Sequence, residues 1–259
     1  MVTGVWDQLD VPEPGFVGRC AWEVDEARRD LEMLAWIGRF RFVTAQALAE
    51  RFHVSWQRAN ARVRRLERLR LLGCQRGHVS QPRAVFLTGR GHELLGWPRR
   101  RAPRAHVQRE HEGAIVWLVT QLEREAGPSV RVLTERECRR LEADGHRRYC
   151  VDVDVGATRR RWPDLAVEVG GMRRAIEIEF APKGTARLAG IVAAYEQSAY
   201  SETLVFVRNA PLGRRIARLV GRPDASIVRL GVRPCPVKVL PWPGLPRDAQ
   251  ARLARALAS

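Results

Sequence analysis

The sequence predicts an α+β or α/β protein of two domains, a helical one followed by one built on a small sheet. A chain of 259 residues is long enough for two bodies that each bury a core. Apolar residues recur at helical spacing before residue 97, and in alternating runs beyond residue 149. Between these regions, Gly96-Trp-Pro-Arg-Arg-Arg-Ala-Pro-Arg104 is a basic, proline-broken stretch suited to an exposed connector. The expected boundaries are an N-terminal extension over 1–29, a helical domain over 30–97, a linker over 98–105, a sheet domain over 106–225 and a C-terminal extension over 226–259.

In the first domain, Leu31, Leu34, Ala35 and Ile37 mark a helix that Asp30 is placed to cap. Thr44 caps a second, Ala45 to Phe52, and His53-Val54 makes a tight connection to a third capped by Ser55. On that third helix Ala59, Val63, Leu66 and Leu69 form the expected buried stripe, with Gln57, Ala61, Arg64, Arg65 and Arg68 opposite. After Leu72, two short extended runs flank a turn rich in Gly and Pro, and Phe86 to Leu95 reads as a strand entering a helix. Three short helices with a cationic third, then a hairpin, describe a helix-turn-helix with a wing.

The second domain opens with a helix over His106 to Glu125, on which His106 and His111 lie five apart and so on different sides, in solvated or linker-contacting roles. Thr134 with Glu137 reads as a capping box, and Glu135 alternatively as a further carboxylate. Alternating runs at Tyr149–Val155, Trp162–Val169 and Ala175–Phe180 predict an antiparallel meander. A helix over Leu188–Tyr200, a strand over Thr203–Val207 and a helix from Leu212 to Val220 complete an α-β-β-β-α-β order. Period-two alternation places Glu177 and Glu179 on the face opposite Ile176, Ile178 and Phe180. Asp164, after Pro163, starts the neighbouring strand, and Lys183 follows Glu179 by four residues. Carboxylates so grouped supply the oxygen ligands of a divalent ion, although alternating Glu is also what any half-exposed sheet shows.

Lys and Arg number 45 against 29 Asp and Glu, for a net charge of +16, which calls for a polyanionic partner. The excess is local: over residues 51–104 fourteen arginines face only Glu67 and Glu93. Duplex DNA is the expected partner, with Gln57, Arg58, Arg64 and Arg65 at base edges and Arg62, Arg68, Arg76 and Arg83 on phosphates. No apolar run is long enough for a membrane span and the first thirty residues lack a secretory pattern, so a cytoplasmic protein is expected. Five scattered cysteines without a CxxC pair suggest neither a disulfide framework nor a zinc ribbon. The absence of a P-loop and of any His-x-His excludes ATP-driven and rolling-circle chemistries of the usual kinds.

The segment Phe86-Leu-Thr-Gly-Arg-Gly-His-Glu-Leu-Leu95 resembles the last strand and following helix of bacterial winged-helix domains, a likeness covering residues 30–97. Pro163-Asp164, Glu177-Ile-Glu179 and Lys183, on an α-β-β-β-α-β order, resemble the PD-(D/E)XK nuclease superfamily. That resemblance implies magnesium or manganese held by Asp164 and Glu177, with Glu179 and Lys183 completing a catalytic set. Glu179 stands where the motif has lysine, so Lys183 would have to substitute for it. The whole arrangement also resembles the replication-relaxation family of actinobacterial plasmids and integrative elements. It implies a DNA-binding endonuclease or nickase acting in replication or transfer, or alternatively a regulator whose retired nuclease fold serves dimerisation or partner binding.

Overall fold

The helical periodicity seen from Leu31 continues backwards past Asp30, and in the computed structural model of the chain the first helix, α1, spans Ala21–Gly38. The structure describes residues 21–76, 82–98, 109–125, 130–154, 158–181, 183–220 and 235–244, with 248, 252 and 255. The tip of the expected wing (77–81), most of the expected linker, His106 and most of both expected extensions lie outside these residues. Asp30 is therefore not a cap. It is buried in mid-helix, where Arg62 Nε at 2.5 Å and Arg65 Nη2 at 2.9 Å neutralise it.

Helices α2 (Ala45–Arg51) and α3 (Trp56–Arg68) start where the hydroxyls of Thr44 and Ser55 accept the amides of Ala47 and Arg58. His53, at φ 51°, turns the chain between them. Ala59, Val63 and Leu66 of α3 are buried, but Leu69, assigned to the same stripe, is 49% exposed because the helix ends there. Strands β1 (Leu72–Gln75) and β2 (Ala84–Leu87) pair antiparallel, Leu72 opposite Leu87, and Val43 bridges to Val85. Helix α4 (Gly89–Leu94) follows, capped by Thr88. Its Gly91 is required by packing, since a Cβ there would lie 2.3 Å from the Leu71 carbonyl oxygen.

The second half forms a mixed five-stranded sheet ordered β3-β6-β7-β8-β9, with β3 (Val130–Thr134), β6 (Leu165–Val169) and β7 (Met172–Glu179) antiparallel in turn. Strands β8 (Glu202–Val207) and β9 (Val237–Pro241) then run parallel to β7. Helices α5 (Arg109–Glu125), α6 (Glu135–Ala143), α7 (Thr185–Glu196) and α8 (Ala210–Ala217) complete it. Three expectations are corrected. The strand antiparallel to β6 on the side away from β7 is β3, a segment for which no strand is expected, not the 149–155 run. The 149–155 run instead contributes β4 (Val151–Asp154), which leaves the main sheet and pairs with β5 (Thr158–Arg161), an arginine run without strand patterning. The presumed C-terminal extension supplies β9, an edge strand of the main sheet.

Alternation gives the sheet two apolar faces. Val132, Leu165, Val167, Ile176 and Ile178 lie under Ile115 and Val119 of α5, in one buried cluster that continues into Trp36, Leu48 and Leu66 of the first half. Leu133, Ala166, Ala175, Val205 and Val207 pack on the other face against α7, α8 and β4. The two halves thus share a core across the expected boundary. Around it Arg39 is held by Glu137 (3.1 Å), by Glu123 and by the Val132 carbonyl (2.7 Å), while Arg51 also reaches Glu123 at 2.9 Å.

Candidate functional site

Because β6 and β7 are antiparallel, Asp164 at the entry of β6 lies beside the exit of β7, and three expected site residues gather at one end of the sheet. Asp164 Oδ2 accepts the Ile178 amide at 2.8 Å and a hydrogen bond from His111 Nε2 of α5 at 3.1 Å. Glu177 and Glu179 share the opposite face of β7 from Ile178, as alternation requires, but that face is covered rather than half-exposed: both are buried, at 3% and 6%. Arg161 of β5 is ion-paired with Glu177 Oε2, and the Tyr195 hydroxyl of α7 donates to Glu177 Oε1. Lys183, just before α7, is ion-paired with Glu179 Oε2. His111 therefore contacts a carboxylate of the sheet, correcting its assignment to a solvated or linker-contacting role.

Burial alone would raise the Asp164 carboxyl, but His111 and the Ile178 amide outweigh it and hold Asp164 below the usual carboxylate range. Burial also works to lower His111, and the hydrogen bond and charge of Asp164 raise it instead. Glu177 is raised, by burial first and by the nearby Asp164 charge, against the pull of Arg161. Arg161 is raised, chiefly by Glu177. Adjacent carboxyls are thus driven apart, Asp164 towards the charged form and Glu177 away from it.

This donor set as arranged does not fit a divalent cation. A guanidinium and a phenol occupy the two oxygens of Glu177 and an ammonium engages Glu179. Among the described residues no group of three or more His, Cys, Asp and Glu is placed to hold a metal ion. Glu135 donates its backbone amide to the Asp164 carbonyl at 3.1 Å, but its carboxylate pairs with Arg139 at 2.6 Å, and Thr134 and Glu137 form the capping box. Sequence reasoning missed His111, Arg161 and Tyr195. Only Tyr195 carried a local signal, a phenol seven residues after Leu188 on the buried stripe of its helix.

The second candidate surface is the outer face of α3. Gln57, Arg58, Arg64 and Arg68 are exposed on it, Arg76 is exposed beyond β1, and Trp56, the first residue of α3, is 50% exposed. Three residues expected to join them are engaged within the chain: Arg62 and Arg65 by Asp30 and Glu26 of α1, and Arg83 by Glu67 at 3.0 Å. Among the described residues no helix is long and apolar enough to cross a membrane. Comparison of the chain with models of known families, with curated proteins and with solved structures finds no match in any of the three.

Proposed function

We propose that the protein binds duplex DNA through α3 as the recognition helix of a winged helix-turn-helix, with the sheet half serving as a nuclease-like body that does not cleave. The observation that carries this is the outer face of α3: Gln57, Arg58, Arg64 and Arg68 are exposed there, and the one acidic residue of the helix, Glu67, which borders Arg64 and Arg68, is ion-paired with Arg83. Arginine and glutamine offer the bidentate donors that read guanine and adenine edges, and a helix entering the major groove presents such a face. With α6 and the β4-β5 hairpin inserted between β3 and β6, the main-sheet elements follow the order α5-β3-β6-β7-α7-β8, which supports the resemblance to the PD-(D/E)XK fold, and the internal partners of Glu177 and Glu179 support a non-cleaving role. By the resemblance to replication-relaxation proteins, the DNA work belongs to a mobile element's replication or transfer.

Fluorescence anisotropy of full-length protein on a labelled duplex tests this. Binding should fall steeply with salt; Arg68→Ala, at an expected phosphate contact, should lower the slope of log affinity against log salt by about 1, and Arg58→Ala with Arg64→Ala should relax sequence preference. Absence of affinity for any duplex at low salt would refute the reading. A second reading, metal-dependent phosphodiester cleavage, rests on the PD-(D/E)XK resemblance of Asp164, Glu177, Glu179 and Lys183, and needs Arg161, Tyr195 and Lys183 to release the two glutamates. It requires cutting or nicking of plasmid DNA with magnesium or manganese that chelation and Asp164→Asn both abolish.

A further inference from the structure

On the α5 side of the sheet, at the carboxyl ends of the parallel strands β7, β8 and β9, lies a shallow, largely open cavity of about 370 Å³ that the carboxylate cluster does not use. Its walls are aromatic. Trp242, just past β9, packs edge-on against Trp117 of α5 at 5.2 Å and against Phe180, just past β7, at 5.4 Å. Its mouth carries opposite charges, Glu110 of α5 and Arg208 just past β8, ion-paired at 70% and 50% side-chain exposure. Gly113, in the body of α5, lines the cavity, and a Cβ built on it meets nothing within 4 Å. Neither a left-handed backbone nor a close neighbour calls for glycine there, in a helix that glycine weakens. Gly113 is exposed at the rim, so a larger side chain can be built over the cavity there without a clash.

We infer that this cavity binds one unstacked nucleotide, its base against Trp117, Phe180 and Trp242 and its phosphate at Arg208. Aromatic walls suit a flat π-system, and stacking on such side chains is how proteins hold bases outside a helix. An exposed ion pair such as Glu110–Arg208 holds its partners weakly, so Arg208 is available to a phosphate and Glu110 to a base amino group. The choice of a nucleotide over another flat anion rests on the DNA reading above and on the +16 net charge.

The test uses full-length protein and a duplex ending in a short single-stranded overhang that carries 2-aminopurine, with a blunt duplex and free 2-aminopurine nucleotide as parallel probes. Wild type should bind the overhang duplex about tenfold more tightly than the blunt one, the gain expected of one stacked base, and should quench the 2-aminopurine. Gly113→Leu, which fills open space and favours helix, should abolish both effects while binding the blunt duplex as wild type does. Arg208→Ala should weaken the overhang preference and leave blunt-duplex binding unchanged. Quenching by the free nucleotide alone at low concentration would assign the cavity to mononucleotides rather than strand ends. Quenching that persists in Gly113→Leu, or none in wild type with either probe, would overturn the proposal. Loss of blunt-duplex binding with quenching retained would refute the α3 reading and leave this one standing.

Discussion

Removing Arg161 leaves Glu177, 3% exposed, without its ion-pair partner and with the Tyr195 phenol as its hydrogen-bond donor. Breaking a buried pair from one side costs about 3–5 kcal/mol, whereas replacing both partners by apolar residues is close to neutral. Arg161→Met should therefore lower the urea midpoint strongly, and Arg161→Met with Glu177→Leu should recover most of it. Failure of the double variant to recover would show that the pair itself stabilises the fold. His111 and Asp164 predict a pH dependence. His111 is raised above its ordinary 6.5, so its contribution is full below 6.5 and disappears as pH rises through the folded value. Asp164 is lowered below its ordinary 3.8, so its contribution is present above 3.8 and disappears as pH falls through the folded value. The pair acts fully between those pH values, with the charges of Glu112 and Glu177 also favouring protonated His111. The gap in melting temperature between wild type and His111→Asn should be widest between pH 3.8 and 6.5 and should narrow as pH rises through the folded His111 value. An equal gap within that window and above it would rule the linkage out.

Within α3 two kinds of arginine alternate, and they should separate experimentally. Arg62→Ala removes a partner from buried Asp30, so it should cost stability by about 1–2 kcal/mol in urea melts. Arg64→Ala should leave stability unchanged and weaken duplex binding. If Arg62→Ala instead left stability intact and reduced DNA affinity, the α1 contact would not hold in solution. The caps at Thr44, Ser55 and Thr134 were legible because a cap is decided by a few consecutive residues. So was the shared face of Glu177 and Glu179, which follows from period two alone. Strands β3 and β5 were not legible: Val130–Thr134 is short and half polar, and Thr158–Arg161 becomes a strand only because Arg161 and Arg159 find Val151 and Val153 opposite. Arg161 and His111 reach the site from β5 and α5 through tertiary packing, which no local pattern encodes.

At the scale of the molecule, the basic linker suggested two independent bodies, and the packing joins them. Val132, Leu165 and Ile176 of the sheet belong to the same buried cluster as Trp36 and Leu66 of the helical half, and Arg39 bridges Glu123 and Glu137 across the seam. Shared burial of this kind couples unfolding, so scanning calorimetry should show one cooperative transition, with Arg39→Ala lowering its midpoint. Two resolved transitions in wild type would mean that the seam does not hold. Charge patterning and hydrophobic periodicity predicted the two kinds of architecture, but neither speaks to whether their cores fuse.

Strand β9 pairs with β8 from 34 residues further along the chain, as the register of Val237 with Thr203 records. During synthesis, β8 therefore emerges well before the strand that completes it. Until then Glu-Thr-Leu-Val-Phe-Val, residues 202–207, offers an open hydrogen-bonding edge of strongly strand-forming side chains. Trp242, which abuts Phe180 and Phe206, is also still missing. A ribosome that stalls or a protease that cuts before Val237 thus releases a species with an adhesive edge, and holding chaperones would meet this protein at that stage.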